Sequence, residues 1–431
     1  MNVSSLRPSD LVWHRALARH SPGPASAGRP LCAAAGTANR SRPGGRAGRV
    51  RPAELGFAGR CRRREPGRGH PRRTHRGALA APARALPQRC FCRRGAAPAG
   101  ACAPAPAGAN SADEQRGARM TVGIGLGLME FPFSGAAAYW RWVDLCEAGG
   151  VDSLWQTDRI VSREPQLECM SVMAALAGRT RRLKFGMNVL SLALRDPVLV
   201  AKQCATIDVL SEGRLLPAFG IGSPRGPEWA ALHIDTRTRG ARTDEALAVI
   251  RRLWHEERVD FAGEHFRLTG AGISPRPVQA ELPMWIGGGS EAAIRRTAQL
   301  GTGWLGGPET PDEARPIVAA IRAGAAAAGR SIDEDHYGAS FPFLFGRRGD
   351  AALQRAMEAY TERTGRDAGD YFAVGDAETI LARIAAYIEA GVSKFVLRPV
   401  GRGDEHVLAQ TRRLIEEVLP AAAARWPKPA K

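Results

Sequence analysis

The stretch Lys184–Gly222 reads KFGMNVLSLALRDPVLVAKQCATIDVLSEGRLLPAFGIG. Its two apolar runs, Phe185–Leu194 and Leu215–Gly222, are too short for helices and are bounded by charge or turn signals, so they read as buried strands. Between them Pro197 opens a segment with apolar residues at Val198, Ala201, Ala205, Val209 and Leu210, which is helical spacing. Proline suits a first helical turn, where its missing N–H is not needed. Ser211-Glu212-Gly213 ends the helix, with the glycine free to adopt a left-handed cap. Strand, helix and strand with tight connections make one βαβ unit of a parallel sheet.

The chain from Met120 onward reads as repetitions of that unit. Strands are expected to start near residues 121, 153, 184, 215, 284, 303, 338 and 394, with amphipathic helices between them. Val259–Leu268 alternates around Gly263 and predicts a β-hairpin insertion. Eight strands alternating with helices over roughly 300 residues is the arithmetic of a (β/α)8 barrel; a doubly wound open sheet is the alternative. Gly123, Gly125 and Gly127 alternate on the first strand, but their spacing is not that of a dinucleotide fingerprint.

Several of these stretches resemble the luciferase-like monooxygenase family. They are LALRDPVLVAKQCATIDVLSEGRL with AFGIG after it, the strand Val151–Trp155 running into Asp158-Arg159, and Arg239–Trp254 with its Asp244-Glu245 pair. The resemblance covers about Met120 to Val418. It implies an α/β TIM barrel with an insertion hairpin, and an enzyme using reduced FMN and oxygen on a small organic substrate. The electrons would come from NAD(P)H, here or through a partner flavin reductase. The near alternative is hydride transfer with the deazaflavin coenzyme F-420, and a more distant one is a flavin-binding protein without catalysis. The resemblance also implies a non-proline cis peptide at Asn188-Val189 behind the flavin ring. Arg159 stands where the family motif has His, and arginine does not exchange protons near neutral pH.

Composition divides the chain at Met120. Of 61 Lys and Arg and 43 Asp and Glu, residues 1–119 hold 23 Arg, no Lys and 5 acids, leaving 38 of each sign in residues 120–431. The whole net charge of +18 therefore lies in a segment rich in Arg, Ala, Pro and Gly with no sustained apolar period. Such a segment cannot bury enough surface to offset its entropy, so residues 1–119 are expected to be disordered and dispensable, with 120–425 forming the barrel domain. Met120 is read as the native start. No nucleic-acid role follows for the balanced remainder, and no apolar run is long enough for a membrane span. Cys146, Cys169 and Cys204 fall on expected helices and read as reduced thiols, which suits the cytoplasm. A homodimer is the expected assembly.

In a barrel of this kind the active site lies on the loops after the C-terminal ends of the strands. That rule selects Asp158, Arg159 and Glu228 as catalytic candidates, and Asn188, Ser191, Gly222, Ser223 and Arg398 as cofactor contacts. Gly287-Gly288-Gly289-Ser290 before a helix offers free backbone N–H groups to a phosphate. The same turn is equally the start of a helix with Ser290 as its N-cap. FMN, with its phosphate between this turn and Arg398, is the expected cofactor. The bland alternative pairs Arg398 with Glu389 or Asp404 at the rim. His233 and His265 read as loop and hairpin residues, and no cluster has metal-ligand spacing.

Overall fold

The computed structural model describes residues 121–427. The expectations for residues 1–119 lie outside the described residues.

Within them, eight parallel strands form the inner wall: β1 Gly123–Leu128, β2 Ser153–Gln156, β3 in two pieces (Lys184–Met187 and Leu190–Ser191), β4 in two pieces (Leu215–Leu216 and Ala218–Gly220), β5 Trp285–Gly287, β6 Gly303–Gly306, β7 Tyr337–Phe345 and β8 Lys394–Pro399. The ring closes through the divided strands. Phe185 of β3 faces Leu215 of β4, further along Leu190 faces Phe219, and β4 then meets β5 at Ala218 and Trp285. β8 pairs with both β7 and β1. The sheet therefore has no open edge, which excludes the doubly wound alternative.

Helices lie between the strands where the apolar spacing placed them, including Ala136–Ala148, Pro197–Ser211 and Arg239–His255. Pro197 occupies the first turn, and the Asp196 carboxylate accepts from the N–H groups of Val198 and Leu199, both at 2.9 Å. At the other end Gly213 has φ 82°, as expected, and Glu212 also turns left-handed, with φ 56°. The run Phe185–Leu194 is less regular than one strand: the cis peptide Asn188-Val189 divides it, and Leu192–Leu194 form a 3-10 turn. The hairpin Val259–Ala262 with Arg267–Ala271 is present. The Glu245 carboxylate holds it, accepting from the N–H groups of Glu264, His265 and Phe266 at 2.8–3.0 Å. Its neighbour Asp244 pairs with Arg296 on the helix Glu291–Leu300, so the Asp-Glu pair ties three elements together.

Two cores result. The larger lies between wall and helices; the smaller fills the barrel axis with Trp155, Leu216, Ala218, Trp285, Leu305 and Val396. The glycines of β1 make room for this filling. A Cβ on Gly125 would overlap Ser153, and one on Gly186 of β3 would overlap the Leu216 carbonyl and the Trp155 ring. Their alternation is thus a packing pattern of the inner face, as the wrong spacing for a nucleotide fingerprint implied. At the N-terminal end of the axis Lys394 Nζ lies 3.0 Å from Asp152. Burial alone would raise the Asp152 carboxyl, but Lys394 and Lys184 together hold it below the usual carboxylate range.

Among the described residues no helix is long and apolar enough to cross a membrane. Cys146, Cys169 and Cys204 are buried free thiols.

Candidate active site at the barrel mouth

The C-terminal ends of β3, β4 and β5 meet around Val189. The cis peptide carries its side chain into the axial cluster, where Gly220 of β4 and Gly287 of β5 face it. A Cβ on either glycine would press on Val189, at 2.6 Å from Gly220 and 2.9 Å from Gly287. The result is a small apolar ledge flanked by bare backbone. Beside it, Asn188 Nδ2 donates to the Ser340 hydroxyl of β7, at 3.3 Å across the barrel.

The remaining expected residues divide into groups. Asp158 is buried, and its carboxylate accepts from the Ser191 N–H at 2.9 Å, from Arg195 Nη2 at 2.7 Å and from the Cys169 thiol at 3.3 Å. With these contacts it fixes the end of β3 and positions Ser191. Asp158, Glu168 and Cys169 approach one another closely enough to suggest a cation site. Arg195, 2.7 Å from Asp158 and 2.9 Å from Glu168, already supplies the positive charge. Arg159 points elsewhere: its Nη1 is 3.4 Å from the buried Glu228 carboxylate, so the ion pair joins the loops after β2 and β4. Gly222 is left-handed at φ 75° and packs against Ser191 and Trp229. The Ser223 carbonyl accepts from Trp229 Nε1 at 2.7 Å. His233 is an exposed loop residue and His265 belongs to the hairpin, as expected.

Ser290 is an N-cap: its hydroxyl accepts from the Ala293 N–H at 3.3 Å. The turn Gly287–Ser290 leads into Glu291–Leu300, and Gly288 has φ 105°. Beside it stands Glu309, which had no signal in the sequence reading. Its carboxylate accepts from the Gly307 N–H at 2.6 Å and approaches Gly289. Burial pushes the Glu309 carboxyl up, outweighing the opposing backbone hydrogen bonds and Arg366. Ionising it costs the folded state, so stability from this group is complete below the ordinary carboxylate pKa and falls as pH rises through the raised one. Glu309→Gln is expected to flatten that decline in melting temperature with rising pH; an unchanged pH profile would contradict it.

Arg398 pairs with neither Glu389 nor Asp404. Its Nη2 donates to the Tyr371 hydroxyl, and its guanidinium lies 5.7 Å from that ring's centroid. The Tyr371 hydroxyl contacts the carbonyls of Gly307 and Ser340, each at 2.7 Å. The hydrogen bonds from Arg398 toward the glycine turn therefore run through Tyr371, Gly307 and Glu309, and among the described residues no hydrogen bond or ion pair joins the two directly. Tyr371 precedes the short strand Ala373–Gly375, which pairs with β7 and was not foreseen in the sequence.

Comparison with known proteins agrees with this architecture. An F-420-dependent glucose-6-phosphate dehydrogenase of Amycolatopsis mediterranei is 26% identical over 314 residues, spanning 64% of this chain and 92% of the relative. A monooxygenase from Streptomyces bottropensis superposes with a TM-score of 0.61 at 23% identity, over 70% of this chain and 100% of its own. An F-420-dependent secondary alcohol dehydrogenase, solved with an F-420-acetone adduct, gives 0.60 at 20% identity, over 70% of this chain and 99% of its own. The family model for luciferase-like monooxygenases matches residues 118–394. With a closed parallel barrel and that match over most of its length, the chain belongs to the luciferase-like monooxygenase family.

Proposed function

We propose that the protein is an oxidoreductase that holds a flavin-type cofactor at the barrel mouth and exchanges hydride between coenzyme F-420 and a small organic substrate. The observation that carries the cofactor class is the Val189 ledge with Gly220 and Gly287 beside it. A planar ring needs an apolar support, and the glycines at 220 and 287 put no Cβ against this one. The choice of F-420 is supported by the dehydrogenase relative, whose similarity spans 92% of its length.

Once bound, the deazaflavin supplies the hydride chemistry, while the protein supplies binding and orientation. Asn188 and Ser340 offer polar contacts at the ring's edge. The N–H groups of the Gly287–Ser290 turn, at a helix N-terminus, suit its phosphate. Glu228 is the residue in the Arg159 pair that can take or give a proton; Arg159 stays charged and holds it. Asp158 positions Ser191.

A second reading, an FMN-dependent monooxygenase fed by NAD(P)H through a reductase, rests on charge. The 38 basic and 38 acidic residues of 120–431 provide no net positive field for the oligoglutamyl tail of F-420. Anaerobic titration of the apoprotein with each cofactor decides between them. Saturable F-420 binding, with FMN about tenfold weaker or absent, is the expected result. The reverse order would install FMN, and binding of neither would remove the cofactor reading.

A further inference from the structure

Two guanidinium groups, Arg398 and Arg363, flank a stacked pair of tyrosines at the mouth. Arg398 lies on the inner face of β8, beside Gly127 of β1, and its buried Nε has no hydrogen-bond partner. Tyr371, which holds its Nη2, stacks on Tyr360 with ring centroids 4.6 Å apart. Arg363 follows Tyr360 by one turn, at the end of the helix Ala351–Thr364. Arg363 is exposed on its outer side, and partial desolvation first, then the charge of Arg398 and after it that of Arg159, push its pKa down. Among the described residues neither Arg363 nor Arg398 enters an ion pair, and Arg159 has only Glu228, at 3.4 Å.

Stability does not account for this arrangement. Like charges brought together repel, and a buried donor without an acceptor costs free energy. Both costs are relieved by one external oxyanion, and the planar fork of arginine matches a carboxylate or phosphate. Among the described residues the hydrogen bonds between Arg398 and the glycine turn pass through Tyr371, Gly307 and the buried Glu309, which leaves the arginines available to a second anionic group.

We propose that Arg398 and Arg363 bind one oxyanion of the organic substrate, a carboxylate or phosphate, so that the substrate is an acid or a phosphorylated compound. This rests on the flavin-type reading of the same mouth. Within it, Arg398 serves the substrate, and the cofactor's phosphate lies at the glycine turn.

The test is calorimetric titration with inorganic phosphate at fixed ionic strength, on the free protein and on protein saturated with whichever cofactor binds. Phosphate is expected to bind both forms with similar affinity. Arg363→Gln, at an exposed position where folding is not at issue, should weaken it by about tenfold or more. Arg425→Gln, which removes an equal charge from the C-terminal helix, should leave it unchanged. Absence of binding, or equal affinity in the Arg363 variant, would overturn the site. Loss of phosphate binding on cofactor loading would overturn the assignment to substrate and give the arginines to the cofactor's own phosphate. Failure of both cofactors to bind would sink the cofactor reading, and the free-protein titration would still decide the oxyanion site.

Discussion

Lys394→Met is expected to destabilise the protein by up to about 3–5 kcal/mol, because it takes the paired ammonium from a largely enclosed carboxylate and leaves only the Lys184 charge and the Ser153 hydroxyl beside it. The side chains of Lys394 and Asp152 are only 9% and 19% exposed, so water cannot replace the lost ammonium. The Asp152 pKa is held low in the folded chain. Its contribution is therefore present above the ordinary aspartate pKa and is lost as pH falls through the depressed value. Urea denaturation at neutral pH measures the loss. The double variant Asp152→Asn with Lys394→Met should recover much of it, since no buried charge then remains. A single-variant loss below about 1 kcal/mol would show that the pair is effectively solvated.

Trp285→Ala is expected to cost a similar ~3–5 kcal/mol by opening a cavity on the barrel axis. Trp285 is fully buried, meets Trp155 at 6.2 Å and His336 at 5.4 Å between centroids, and lies against Gly303 and Gly338. These neighbours belong to a closed wall that cannot collapse inward easily. Trp285→Phe should cost much less, since the indole Nε1 is buried without a partner and its removal forfeits no hydrogen bond. Val189 packs on the same cluster, so the alanine variant should also loosen the ledge and weaken cofactor binding. Equal losses for Phe and Ala would contradict the cavity argument.

Much of the barrel was legible from local signals. Pro197, the helical period after it and the Glu212-Gly213 stop placed one helix to the residue, and similar cues placed most others. Ser290 was readable as an N-cap for the same reason. The interior was less legible. β1 is buried along its whole length, so its sequence has no polar alternation to reveal which residues face the axis. Only strand register shows that its glycines face Lys394, Ser153 and Val396. The Asp152–Lys394 pair joins residues 242 positions apart, beyond any local pattern. Glu309, Tyr371 and Arg363 sit in or beside connecting segments, whose path over the mouth depends on tertiary contacts. Arg398 was found because it ends a strand, but its partner is a tyrosine from one of those segments.

The mouth around Val189 is expected to hold a flavin-type ring. A crystal structure of the protein with F-420, or with FMN if only that binds, tests it most directly. The ring is expected against Val189 between Gly220 and Gly287, with its phosphate at the N–H groups of the Gly287–Ser290 turn and Arg363 and Arg398 free of it. A ring bound away from Val189 would rule out this ledge as the cofactor site.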